Sequence, residues 1–231
     1  MSKNKKLSLY LLISLYLCIG FYLSITTGIT SDESFEQLNW DKNTAGIISL
    51  LNFGHYDEFL RYLDKYHGIA FHYISQPIQF LIANFVSDIN EVSDFGGHLM
   101  SKHSIVFFIF FVSGIYFYKL INKILKNSFF SILSTSLYLL YPYLFGHSLF
   151  NMKDIPFLSI WLVTTFYFLD IIEDIYLDKK VLYRKIVFVS FLAAYLISIR
   201  ILGVLIFLQV LISLIILFNI KNLNLLSFVK T

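Results

Sequence analysis

An all-α, polytopic membrane architecture follows from three features of this 231-residue chain. Only 14% of its residues are charged, where soluble domains carry about 25%. Its apolar residues, 57% of the total, gather into long uncharged runs near the roughly 20 residues that a helix needs to cross a hydrocarbon core. Its 25 Phe and 16 Tyr suit lipid-facing and interfacial surfaces. The expectation is one transmembrane domain over residues 1–231 with about six transmembrane helices. A large first outer loop, residues 30–103, carries interfacial helices.

The first span is Leu7–Ile29, behind a basic tail of Lys3, Lys5 and Lys6. Signal-peptide apolar regions run about 7–15 residues before a small-residue cleavage site. This run is longer and ends in Thr-Thr-Gly-Ile-Thr-Ser-Asp-Glu, a poor cleavage site, so it reads as an uncleaved span. Ser31–Lys65 is the most polar stretch, with short amphipathic helices expected in it, for example around Ile47–Phe53. Tyr66–Ser87 is free of Asp, Glu, Lys and Arg, yet it carries Gly68, Gln76, Pro77, Gln79, His67 and His72. The remaining expected spans are Ser104–Tyr118, Ser128–Phe145, Ile155–Leu169, Ile186–Ile199 and Ile201–Ile220. The last two meet at Arg200, since one helix from Ile186 to Ile220 would be about 50 Å long against a core of about 30 Å.

Basic residues decide whether Tyr66–Ser87 crosses. If it does not, 12 of the 18 lysines and arginines lie on the cytoplasmic side; if it does, only 6 do. The positive-inside rule selects the first arrangement, with Tyr66–Ser87 against the outer interface. That arrangement puts 11 of the 15 acidic residues outside, together with Arg200 and the connector Leu144–Phe157.

The connector concentrates His147, Ser148, Asn151, Lys153 and Asp154 between two apolar runs. A simple turn needs only small polar residues, whereas these groups bind phosphates and sugars or move protons. The spans themselves hold little beyond Gln209, Ser and Thr, where a transporter would carry ionisable groups near the midplane. The single cysteine, Cys18, excludes a disulfide framework or a cysteine-based metal site. No His/Asp/Glu spacing forms a convincing metal site, and His98 and His103 read as helix-end histidines. There is no phosphate-binding glycine loop, no nucleotide motif and no basic stripe for nucleic acid.

Two pieces carry a family resemblance. Gly-Ile-Thr-Ser-Asp-Glu-Ser-Phe at 28–35 puts the acidic pair Asp32-Glu33 directly after the first span. An acidic pair at the start of a large outer loop resembles the GT-C superfamily of polyprenyl-phosphate-sugar glycosyltransferases. The connector Phe-Gly-His-Ser-Leu-Phe-Asn-Met-Lys-Asp-Ile-Pro at 145–156 is more specific. It resembles the bacterial branch related to protein O-mannosyltransferases and aminoarabinose transferases. Asp-Lys-Tyr-His-Gly-Ile-Ala-Phe at 64–71 and Ser-Ile-Arg-Ile-Leu-Gly at 198–203 are similar to segments of that branch.

The resemblance implies sugar transfer from a polyprenyl-phosphate donor to an acceptor hydroxyl or amine, at the outer face of a bacterial inner membrane. Asp32 and Glu33 are then the expected catalytic carboxylates, with Asp32 as general base. His147, Asn151, Lys153, Asp154 and Arg200 are the expected substrate-binding residues, Lys153 and Arg200 facing the lipid phosphate. Asp32, Lys153, Asp154 and Arg200 are expected beside one cavity. The expected partners are membrane lipid, the donor and an unidentified acceptor; no cofactor is expected, and a divalent metal is left open. Family members have about twice as many spans, so the chain is expected to be an N-terminal part of a longer GT-C fold. The alternative is a non-catalytic, truncated or degenerate membrane protein, or a transporter component.

Overall fold

The computed structural model describes residues 3–55, 61–63 and 68–221, with side chains from Leu7. The described residues are helical or in turns, without a strand. In chain order the helices are α1 (Lys3–Thr26), α2 (Ser31–Phe53), α3 (Ala70–Asn90), α4 (Asp94–Ser101) and α5 (His103–Leu125). They are followed by α6 (Ser128–Leu140), α7 (Pro142–Ser148), α8 (Asp154–Tyr176), α9 (Tyr183–Ile199), a 3₁₀ turn (Ile201–Val204) and α10 (Leu205–Lys221).

Four stretches are long and apolar enough to cross a membrane: Leu7–Thr26, Asp94–Leu125, Asp154–Tyr176 and Ile201–Ile220. A fifth is the pair α6 and α7, bent by 59°. The sequence suggested one straight span over Ser128–Phe145. The break falls at Tyr141 (φ −60°, ψ 118°) because Pro142 forces its predecessor out of the helical region. Pro142 then opens α7, at a position where its missing N–H costs nothing. Helix α9, expected to be a span, has 17 residues, about 25 Å at 1.5 Å per residue, short of a core of about 30 Å.

The loop after the first span also differs from expectation. A single 23-residue α2 replaces the short amphipathic helices. Thr30 and Glu33 form a capping box at its start, and Gly54 closes it in the left-handed conformation (φ 71°) that glycine adopts without strain. Of the Tyr66–Ser87 segment, Tyr66 and His67 lie outside the described residues; the remainder enters α3, which is not among the four apolar stretches.

Helix α5 is the hub, packing against α1, α6 and α8. One core joins Phe71, Ile105, Val106, Phe110, Met152 and Ile155; a second joins Ala193, Leu196 and Ile206 under Trp161. Trp161 Nε1–H donates to Gln209 Oε1 at 2.8 Å, and Gln209 Nε2–H donates to Thr165 Oγ1 at 3.1 Å. Gln209, the main polar residue of the spans, thereby joins α10 to α8. At the far end Lys123 pairs with Asp170 and with Glu173, and Lys185 pairs with Asp174.

Helix α3 is amphipathic in the reverse sense to a soluble helix, and α2 likewise turns polar side chains inward. Their outer faces carry Leu51, Phe53, Phe80 and Leu81, the last 82% exposed, while Glu33, Gln37, Asn43, His72, Ser75 and Gln79 point inward. Fully buried Lys102 closes this polar interior, donating to Gln37 Oε1 at 2.5 Å and contacting His72 Nδ1 at 3.2 Å. Gln37 in turn donates to Asp41 Oδ1 at 2.9 Å, and Trp40 stacks on the His72 ring at 5.7 Å.

Burial, with the charges of Lys102 and Lys153, lowers His72 to about 3. Folded His72 therefore stays neutral while the unfolded side chain, near its ordinary value, takes up a proton below about pH 6.5. Stability present above that pH is lost as pH falls toward 3. Thermal melts in detergent should show roughly 1–2 kcal/mol lost between pH 7.5 and 5, and His72→Gln should flatten that slope. An unchanged slope would assign the acid sensitivity to other groups.

Candidate functional site

The site forms where the starts of α2 and α8 meet the α9–3₁₀ junction. At the start of α2, helical spacing sends Asp32 and Glu33 in different directions. Glu33 is 2% exposed and committed on both oxygens. Its Oε1 accepts from Thr30 N–H at 2.8 Å and Thr30 Oγ1 at 3.0 Å, while Oε2 lies 2.8 Å from His103 Nε2. His103 Nδ1 contacts Ser24 O at 3.1 Å, near the end of α1. Asp32 is exposed, its Oδ1 accepting from Ser31 Oγ at 3.3 Å. The expected acidic pair is thus a buried carboxylate with both oxygens engaged beside an exposed one.

The second piece is the connector. Asn151 Oδ1 accepts from Lys153 N–H at 3.1 Å and Asp154 N–H at 2.8 Å, satisfying two donors at the start of α8. Backbone N–H groups only donate, so this fixes which end of the amide is oxygen. The Nδ2 group then donates to Asp154 Oδ2 at 3.1 Å and to His147 Nδ1 at 3.0 Å. That leaves the proton of a neutral His147 on Nε2. The imidazole packs between Tyr143 and Phe150, with ring centroids 4.3 and 5.4 Å away.

The third piece is Arg200, whose extended backbone (φ −146°, ψ 136°) separates α9 from the 3₁₀ turn. Its Nη2–H donates to Asp154 Oδ1 at 2.6 Å, while its buried Nε has no partner among the described residues. Gly68 packs against this junction; a Cβ there would lie 2.3 Å from Ile199 O, so glycine alone permits the approach. Lys153 reaches back to α2, its Nζ 2.8 Å from Glu36 Oε1.

These pieces enclose a cavity of about 610 Å³ lined by Asp32, Glu36, Lys153 and Arg200 with Phe35 and Leu202. A smaller space of about 110 Å³ shares those four charged residues and adds Glu33, Asn151 and Asp154. Asp32, Lys153, Asp154 and Arg200 are therefore brought together. His147 lines neither space and reaches the smaller one through Asn151 and Phe150. Among the described residues no three His, Cys, Asp or Glu side chains are gathered for a metal ion.

Glu36 and His103 are the participants that sequence reasoning missed. The available signal was Thr30-x-x-Glu33, a capping-box spacing that starts a helix and so puts Glu36 one turn after Asp32. Nothing local marks His103, which is 70 residues from its carboxylate.

The two acidic residues should separate in stability measurements. Glu33→Ala should lower the thermal midpoint by the equivalent of about 1–3 kcal/mol, since it removes a cap and leaves His103 without its carboxylate. Asp32→Ala, on an exposed position, should stay within about 0.5 kcal/mol of the native chain. Equal losses would contradict the division of roles.

Compared with protein-family models, curated proteins and solved structures, the chain matches none.

Proposed function

We propose that this chain is a membrane glycosyltransferase of GT-C type, moving a sugar from a polyprenyl-phosphate donor to an acceptor at the outer face of a bacterial inner membrane. The observation that carries the reading is one cavity lined by the exposed carboxylate of Asp32 and by the cations Lys153 and Arg200. The connector motif at 145–156 supports it, because Asn151, Lys153 and Asp154 of that motif build the wall of the site.

In this reaction Asp32 takes the proton from the acceptor hydroxyl or amine as that group attacks the anomeric carbon. The bond between the anomeric carbon and the phosphate oxygen breaks, and polyprenyl phosphate leaves with its charge increased. Lys153 and Arg200 meet that charge. Both cations are paired at rest, with Glu36 and Asp154, so an entering phosphate exchanges with these carboxylates. Asn151 holds the start of α8, and hence Lys153 and Asp154, in place.

The proposed topology has six spans, counting the α6–α7 pair and α9, with both termini cytoplasmic and α3 at the outer interface. The reversed amphipathicity of α3 supports that placement, its apolar face meeting lipid and its polar face covering the interior. The second reading, a non-catalytic membrane protein or transporter component, is favoured by one observation. Both cations already have carboxylate partners, as purely structural ion pairs would.

Two experiments separate the readings. For topology, single cysteines at Ser93 and Asn127 in a Cys18-free background are treated with an impermeant maleimide. Labelling of 93 and not 127 in intact cells is expected, and the reverse pattern would overturn the arrangement. For chemistry, membranes carrying the chain are given radiolabelled polyprenyl-phosphate sugar, and binding of the donor to purified protein is measured in parallel. Asp32→Asn should lower transfer about 10²–10⁴-fold with donor binding kept. Lys153→Ala should instead weaken donor binding. Absence of donor binding by the native chain, or unchanged transfer by Asp32→Asn, would favour the non-catalytic reading.

A further inference from the structure

A second cavity, of about 560 Å³, lies between α8, α9 and α10, and the proposed transfer makes no use of it. Its walls are apolar side chains, among them Phe168, Ile171, Ala193, Phe207 and Val210. Along α9 it extends from Ile186 to Ala193, about 10 Å at 1.5 Å per residue. Among the described residues its charged lining is Asp178 and Lys179, together at one end in the turn that joins α8 to α9.

That end is cationic. Lys179, Lys180 and Arg184 are exposed, and their side chains have no ion-pair partner among the described residues. The nearby carboxylates are already engaged: Asp170 and Glu173 by Lys123, and Asp174 by Lys185. Across the turn and the start of α9 the three basic groups Lys179, Lys180 and Arg184 outnumber the single acid Asp178. Exposed Tyr176 and Tyr183 flank the same turn, as aromatic side chains do at headgroup depth. An apolar shaft beneath a basic, tyrosine-flanked rim matches the shape and charge of a lipid with a negative headgroup. A second copy's apolar helix would fill the shaft and leave the rim without counter-charge.

We infer that this cavity is a binding site for an anionic phospholipid, one acyl chain between α8, α9 and α10 and the headgroup phosphate on Lys179, Lys180 and Arg184.

Native mass spectrometry of the 231-residue chain, released from bilayers of equal phosphatidylglycerol and phosphatidylcholine, tests the site. The native chain should retain phosphatidylglycerol in preference. A basic residue at a membrane surface strengthens anionic-lipid binding about fivefold, so Lys179→Gln with Lys180→Gln and Arg184→Gln should reduce that preference by at least about fivefold. Val210→Trp fills the shaft and should lower retention of both lipids; Ser190→Phe fills it from α9 and serves if Val210→Trp does not fold, circular dichroism deciding. Equal retention of the two lipids by the native chain would overturn the inference. So would retention unchanged by a folded shaft-filling variant. A disulfide-linked dimer formed through a cysteine at 210, in a Cys18-free background, would assign the cavity to a second copy and would also overturn it.

Discussion

The contact on which the rest of the site depends is the buried meeting of Glu33 with His103. The carboxylate caps α2 from within, while the imidazole at the start of α5 also touches the carbonyl of Ser24 near the end of α1. One polar knot thus joins three helices. A desolvated carboxylate is costly unless its oxygens are occupied, and here both are. The orientation of Asp32 follows, because its neighbour in sequence cannot turn without leaving buried groups unpaired.

The polar interior beneath α2 and α3 extends the same logic. In a soluble domain, burying Gln37, His72, Gln79 and Lys102 would run against the usual partition of polar residues. Where the surroundings are apolar, the partition turns round and polar side chains find one another inside. The exposed row of Phe80, Leu81 and Phe85 is the other half of that exchange. The core is therefore held by specific pairs such as Lys102 with Gln37, whose geometry matters more than their volume.

Helical class and most apolar runs were readable in the sequence, because runs free of charge and the alternation of apolar with polar stretches are local properties. The bend at Tyr141–Pro142 was locally encoded too, yet the apolar run across it concealed the break. The gathering of Asp32, Lys153, Asp154 and Arg200 was expected from motif resemblance, and the four line one small space. What could not be read was the fate of Glu33 and the arrival of Glu36 beside Lys153. Those depend on the rotation of α2 about its axis, which is set by His103, 70 residues away.

Asn151 uses every hydrogen-bonding valence its side chain has: two acceptor sites for the start of α8, two donor sites for His147 and Asp154. Hydrolysis of that amide to a carboxylate, a spontaneous ageing reaction of asparagine, would turn the donation to Asp154 into an acceptor–acceptor contact and would require His147 to move its proton to Nδ1. A negative charge would then face Asp154 about 3 Å away.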